Sequence, residues 1–364
     1  MARIDAFLKL GLDQNCSDIH LAVGVPPMLR MHGDLLPIKF RDLTSQELES
    51  YMDEILTTNQ KKKFATGVDL DFSYQTDEGN RYRVNMYRKA TGIGATFRFI
   101  PTEVPTLEKL ALPPICKKLC AHHQGMVLVT GSTGTGKSTT LAAMIDYINR
   151  SRATNIISLE DPVEFVHKPY KAQIIQRELH THLPSFAEGI RASLREDPDV
   201  ILVGEMRDAE TISMAMTAAE TGHLVFGTLH TTGAIKTIDR IIDALPSAQR
   251  EQTKSFLSAS LKAVITQNLV KTPEGKGRRA CLEVMVMTRA IGNLIQTDQV
   301  HQILSQLQTG QEYGMQMMDQ ALLEAVEHKL ADPEDAVRYA KDKSLFAKYI
   351  TDMTTTGITP ALQR

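Results

Sequence analysis

The stretch Val129–Thr140, VTGSTGTGKSTT, closes an apolar run and opens a polar one. Its core, GSTGTGKS, fits the pattern G-x-x-x-x-G-K-[ST] in full, with a strand-like run before it and a helical pattern after it. Gly131, Gly134 and Gly136 let the backbone curl until its N–H groups point at phosphate oxygens. The helix that follows adds the positive end of its dipole. Lys137 is placed to reach the outer phosphates of a nucleotide, and the Ser138 hydroxyl suits Mg²⁺. The expected phosphate cradle is therefore Gly131, Ser132, Thr133, Gly134, Thr135, Gly136, Lys137, Ser138 and Thr139.

Around this loop the chain alternates strands and helices. GMVLVTG, NIISLE, DVILVGE and HLVFGTLH are continuous apolar runs, the mark of parallel strands buried on both faces. Helical patterns at 137–150, 185–196, 208–221 and 233–244 separate them, which predicts a doubly wound α/β sheet. After 246 the pattern turns mostly helical, with RRACLEVMV as a strand-like exception. The tail TTTGITPALQR has little to pack.

Upstream the pattern differs. A helix is expected over 3–12, then strands SDIHLAV and PMLRMHG around a GVPP turn. TSQE at 44–47 is a capping box opening a helix that carries Leu48, Tyr51, Ile55 and Leu56 on one face. VDLDFSY, RYRVNMYR and GATFRFI read as three more strands, with DEGN as a hairpin turn. Strands in runs predict a separate α+β domain over 1–100. PTEVPTLEKLALPPI, 101–115, holds four prolines and reads as an extended linker. The nucleotide domain then spans 116–364.

The formal net charge of −2 gives no whole-chain reason to expect a nucleic-acid partner. There is no apolar run of about 18 residues and no secretory leader pattern, so a cytoplasmic location is expected. Four cysteines, Cys16, Cys116, Cys120 and Cys281, form no CxxC pair. Cys116 and Cys120, near His122 and His123, read as ordinary thiols on a short helix rather than a metal site.

Holding a nucleotide is not hydrolysing it, which needs carboxylates at the neighbouring strand ends. Two stretches offer them. In IISLEDPVEF, Glu160, Asp161 and Glu164 cluster just past an apolar strand, where ligands bind in open α/β sheets. In DVILVGEMRD, Glu205 stands at the mouth of another strand, where a carboxylate can hold Mg²⁺ or its water. In GHLVFGTLHTT, His230 ends a strand on the phosphate edge, whereas His223 starts that strand on the opposite edge. No NKxD stretch of a switch GTPase occurs, and no LSGGQ-like stretch of an ABC cassette.

GSTGTGKST, ISLEDPVEF, ILVGEMRD and GHLVFGTLHTT, in this order, resemble the Walker A, Asp-box, Walker B and His-box motifs of type II and type IV pilus secretion ATPases. GSTGTGKSTTLAAMIDYIN, GEMRDAETI, TAAETGHLVFGTLHTT and SDIHLAVGVPPMLRMHG are closest to the pilus retraction branch, and the resemblance covers nearly the whole chain. It implies a PAS-like N-terminal domain before a RecA-like P-loop ATPase domain. It also implies a cytoplasmic homohexamer that hydrolyses ATP with Mg²⁺, docked on the inner-membrane pilus platform protein and returning pilin to the membrane. In residues, it implies that Lys137 and Ser138 hold phosphate and Mg²⁺, Glu164 orients or activates water, and Glu205 holds Mg²⁺ or water. His230 would sense the γ-phosphate, His223 would act structurally or across an interface, and Arg81, Arg83 and Arg98 would act as fingers on the transferred phosphate. Which of Glu164 and Glu205 is the base stays open.

Two stretches depart from the retraction pattern. AIGNLI carries Gly292 where that branch has arginine, and TPEGKGRRACLEVMV is more similar to accessory retraction ATPases. A partner-dependent accessory subunit working with a paralogous pilus ATPase is thus the alternative. Assembly and secretion ATPases usually bear a tetracysteine segment, which is absent here and favours retraction. A nucleic-acid translocase on the same core is disfavoured by the near-neutral charge.

Overall fold

The structure is a computed structural model that describes residues 2–349 apart from 15, 32, 33, 102 and 276. The tail TTTGITPALQR and the end of PMLRMHG lie outside the described residues. The chain divides into two compact units, Met1–Glu103 and Val104–Arg364.

Alternating apolar and polar residues build the sheet of the first unit. Its strands are β1 (Asp18–Ala22), β2 (Met28–Met31), β3 (Asp34–Pro37), β4 (Leu70–Gln75), β5 (Arg81–Lys89) and β6 (Gly92–Ile100). They pair antiparallel in the order β3-β2-β1-β6-β5-β4. Ile19, Leu21, Tyr82, Val84, Ala95 and Phe97 pack with Ile4, which caps helix Asp5–Asp13, with Leu8 of that helix, and with Leu48 and Met52 of helix Ser45–Ile55. Thr44 and Glu47 form the expected capping box. A second box, Thr57 with Gln60, opens a helix over Thr58–Ala65 that no apolar periodicity announces.

The second unit is built on β7 (Gly125–Thr130), β8 (Asn155–Glu160), β9 (Gln173–Glu178), β10 (Val200–Val203), β11 (Leu224–Leu229), β12 (Leu261–Lys271) and β13 (Arg278–Val286). The sheet order is β13-β12-β7-β11-β10-β8-β9, parallel throughout except for β12 with β13. Helices Lys137–Ser151, Phe186–Ser193, Ala209–Glu220 and Ala234–Ala244 connect its strands. In β7, Met126 and Leu128 enter one apolar cluster while Val127 and Val129 enter the other. Burial on both faces is why this strand is apolar at every position.

Two expectations need correction. The region after 246 is mostly helical as expected but holds two strands rather than one, because β12 runs for 11 residues between the loop-bearing β7 and β13. It continues directly from helix Arg250–Ser260 with no turn residue between them. Nor is 101–115 a uniformly extended linker. Leu107 is 3% exposed in the core of the second unit, with Leu110 and Leu112 packed against that core. The backbone there turns through Leu110 N–H to Thr106 O at 3.1 Å and Leu112 N–H to Leu107 O at 3.0 Å. The leucines between the prolines supply enough apolar surface to fold the segment onto the sheet.

Among the described residues, no helix is long and apolar enough to cross a membrane. All four cysteines are free and buried. Burial is the main cause raising each thiol, Cys116 to about 12 and Cys281 to about 11. Cys116 and Cys120 belong to the apolar core, as expected of ordinary thiols.

Candidate nucleotide site

At the end of β7 the chain turns through three glycines with left-handed backbone angles: φ +139° at Gly131, +81° at Gly134 and +84° at Gly136. A methyl group on Gly131 would lie 2.5 Å from Gln267 O, and one on Gly136 would lie 2.9 Å from Gln267 Nε2. Both conformation and space therefore require glycine. Gln267 is buried and braces the loop from β12. Its Nε2 donates to Thr135 O at 2.7 Å, and its Oε1 accepts from Thr140 Oγ1 at 2.6 Å. One residue earlier, Thr266 Oγ1 lies 2.9 Å from Thr130 Oγ1. Sequence reasoning missed this brace. The polar triplet Thr266–Asn268 inside an otherwise apolar stretch was the available signal.

Lys137 Nζ donates to Gly131 O at 2.9 Å and to Ser132 O at 3.0 Å, which tucks the ammonium under the loop. Burial lowers its pKa, and the charges of Glu205 and Glu164 act in the opposite sense. Both acids named from sequence therefore lie within electrostatic reach of Lys137. Ser138 and Thr139 occupy the first turn of helix Lys137–Ser151, Ser138 exposed. Ser132, Thr133 and Gly134 form the exposed tip of the loop.

Glu205 follows β10 and Gly204. Its Oε1 lies 2.8 Å from His230 Nε2, at the end of β11, and accepts from Arg207 Nε. Burial favours its neutral form, but Arg207, His230 and Lys137 together outweigh this and hold its pKa below the ordinary value. Arg207 is a further missed residue; it sits in the quoted GEMRD. His223 starts β11 at the other edge, with Nδ1 2.9 Å from Ala218 O and its carbonyl accepting from Gly125 N–H at 3.0 Å. It ties a helix to the sheet, away from the loop.

Glu160 ends β8 and accepts from Ser158 Oγ at 2.7 Å and Gln176 Nε2 at 3.1 Å, while burial pushes its carboxyl up. Asp161 is exposed. Beyond it Val163, Phe165 and His167 are buried and Glu164, Val166 and Lys168 are exposed, so Glu164 projects outward.

The arginines Arg81, Arg83 and Arg98 belong to the first unit. Arg83 and Arg98 are cross-strand partners on β5 and β6, and Arg81 shares their face two residues earlier. Arg98 Nε donates to Asp18 Oδ1 at 2.8 Å. The structure thus groups Lys137, Glu164, Glu205 and His230 in one unit and the three arginines in the other.

Gly292 is buried in helix Arg289–Gln296, and a methyl group there would lie 3.2 Å from Ser258 Oγ and 3.4 Å from Ser258 O. The glycine lets this helix approach helix Arg250–Ser260 closely.

A family model described as type II/IV secretion system protein matches residues 109–335. The chain belongs to this family. It is 51% identical over 316 residues to the twitching motility protein of Neisseria gonorrhoeae, covering 87% of this chain and 84% of that one. It is 46% identical over 338 residues to the type IV pilus retraction ATPase PilT of Pseudomonas aeruginosa, covering 93% and 98%. With the type IV pilus ATPase PilU of the same organism the identity is 37% over 336 residues, covering 92% and 88%. A crystal structure of the pilus retraction motor PilT with bound ADP superposes with a TM-score of 0.88 at 40% identity, covering 94% and 98%. The fold is accordingly a RecA-like P-loop ATPase domain preceded by a PAS-like α+β domain.

Proposed function

We propose that this family member is a mechanochemical ATPase that retracts type IV pili. The observation that carries the reading is the grouping of Lys137, Glu205 and His230 around a complete P-loop, in a chain that covers 98% of a pilus retraction ATPase.

ATP is the substrate. The backbone N–H groups of 131–138 and the Lys137 ammonium receive its outer phosphates. The donor set fits Mg²⁺: the Ser138 hydroxyl and the Glu205 carboxylate are hard oxygen donors, and Glu205 is kept ionised by its cationic neighbours. Bound there, Mg²⁺ supplies neutralisation of charge on the phosphate oxygens. Glu164, projecting outward, orients the attacking water. Water oxygen bonds to the γ-phosphorus, the bond to the β–γ bridging oxygen breaks and that oxygen leaves on ADP, while one water hydrogen stays on the phosphate and the other is released to solvent as a proton. His230, bonded to Glu205, reads whether the γ-phosphate is present. Arg81, Arg83 and Arg98 stabilise the charge spread over the transferred group.

The working form is a ring of six copies at the cytoplasmic face of the inner membrane, docked on the pilus platform protein. A paralogous pilus ATPase would be its companion under the accessory reading. Gly292 was the sign of an accessory role, but packing against Ser258 accounts for it without one. The 46% identity to PilT against 37% to PilU also favours the motor reading.

Deleting the gene in the parent cell and counting surface pili beside surface motility tests the reading. Excess pili with lost motility are expected. Few or no pili would mean that the ring drives assembly, and normal pili with mild motility loss would mean the accessory role.

A further inference from the structure

The segment after β8 carries Glu164 on an extended run whose residues alternate between buried and exposed. A slip of one residue along such a run would bury Glu164 and expose Phe165 or Val163. Something must fix its register, because the run pairs with no neighbouring strand along its length.

One side chain does most of this. Gln176, in β9, has two amide N–H groups and one carbonyl oxygen, and all are used. Nε2 donates to Phe165 O at 2.8 Å and to Glu160 Oε1 at 3.1 Å, and Oε1 accepts from His167 N–H at 2.9 Å. Glu160 in turn accepts from Ser158 Oγ. Ser158 and Gln176 are register partners on β8 and β9, so the clamp is anchored in the parallel sheet. Backbone groups at 165 and 167 are thereby both tied to the one amide of Gln176. The clamp leaves the Glu164 carboxylate untouched and holds the backbone just beyond it, at Phe165 O and His167 N–H.

We propose that Gln176 is a positioning residue for ATP hydrolysis, setting the register that presents Glu164 to the attacking water. The inference rests on the role given to Glu164 above. It assigns Gln176 no contact with nucleotide. Its loss should therefore slow the chemical step and leave nucleotide binding alone.

The test uses the full-length protein and ATP. Gln176→Ala should lower kcat about 10- to 100-fold with the KM for ATP within about twofold, since misplacing a reacting group by about 1 Å costs on the order of 10²-fold. Gln176→Met, which fills the same length without an amide, should do the same and serves if the alanine variant does not fold. The decisive reading is a double-mutant cycle on the residual turnover of Glu164→Gln, followed with radiolabelled ATP. If Gln176 acts through Glu164, Gln176→Met adds little further loss in that background. An equal further loss there, or unchanged kcat in a folded Gln176 variant, overturns the inference. Full turnover in Glu164→Gln alone overturns the reading of Glu164 itself, a separate failure.

Discussion

Strand β7 sends Met126 and Leu128 to one side of its sheet and Val127 and Val129 to the other, and every one of them is buried. Strand β5 buries Tyr82, Val84 and Met86 and turns Arg81 and Arg83 to the opposite face. The sheet of the second unit has an apolar cluster on each face, so the candidate site residues lie where its central strands stop. The P-loop follows β7, Glu160 ends β8 with Glu164 beyond it, Glu205 follows β10, and His230 follows β11. The sheet of the first unit packs its apolar cluster on one face, so charged side chains can spread across strands on the other, as Arg83, Arg98, Asp18 and Arg30 do in one cross-strand row. A doubly covered sheet concentrates chemistry along an edge; a singly covered sheet distributes it over a surface.

That contrast can be attacked first at its centre. Phe226→Ala, in a fully buried strand, should cost about 3–5 kcal/mol of stability, read by denaturant unfolding. A cost near zero would mean that the covering of this sheet is not tight. Lys137→Ala comes next. Turnover should fall at least about 100-fold, roughly 2.7 kcal/mol of barrier, while the thermal midpoint of the ligand-free protein moves little. Full activity would sink the assignment of the strand-end site.

On the open face, Arg83→Ala should change stability by no more than about 0.5 kcal/mol, because an exposed strand arginine supports no core. ATPase turnover should nonetheless drop. Stability loss without activity loss would reduce that face to a structural surface. The mildest effect concerns pH. The folded-state pKa of Glu205 lies below its ordinary 4.5. Its contribution is therefore fully present above that value and is lost only as pH falls through the lower folded value. The ATP-dependent rise in melting temperature should stay flat from pH 8 down to about pH 5 as far as Glu205 is concerned. A midpoint near neutrality would show that its partners do not hold it ionised.

The doubly covered strands were the legible ones, since burial on both sides leaves an unbroken apolar run. The strands that sequence reading passed over are short, lie at an edge or carry polar residues, each for a physical reason. β3 is an exposed edge, and β9 is an edge whose Gln176 reaches into the segment around Glu164. β12 interrupts its apolar pattern with Thr266, Gln267 and Asn268, two of which brace the P-loop. The motif residues of the site were legible because their chemistry needs fixed spacing along the chain. Their supports, Gln267, Arg207 and Gln176, answer to contacts in space, and local patterns carry little trace of those. The helix Thr58–Ala65 is the instructive miss: its face is polar, but Thr57 and Gln60 spell its start.

The four buried thiols have a practical consequence. Maleimide and methanethiosulfonate reagents attack the thiolate, which burial disfavours at Cys16, Cys116, Cys120 and Cys281 alike. A cysteine introduced at the exposed Glu49 or Thr217 position, outside the nucleotide site, would thus be labelled in preference to every native one. The wild-type chain is in effect a cysteine-light background, ready for single-molecule fluorescence or spin-label distance work through the ATP cycle without first being stripped of its own sulfur.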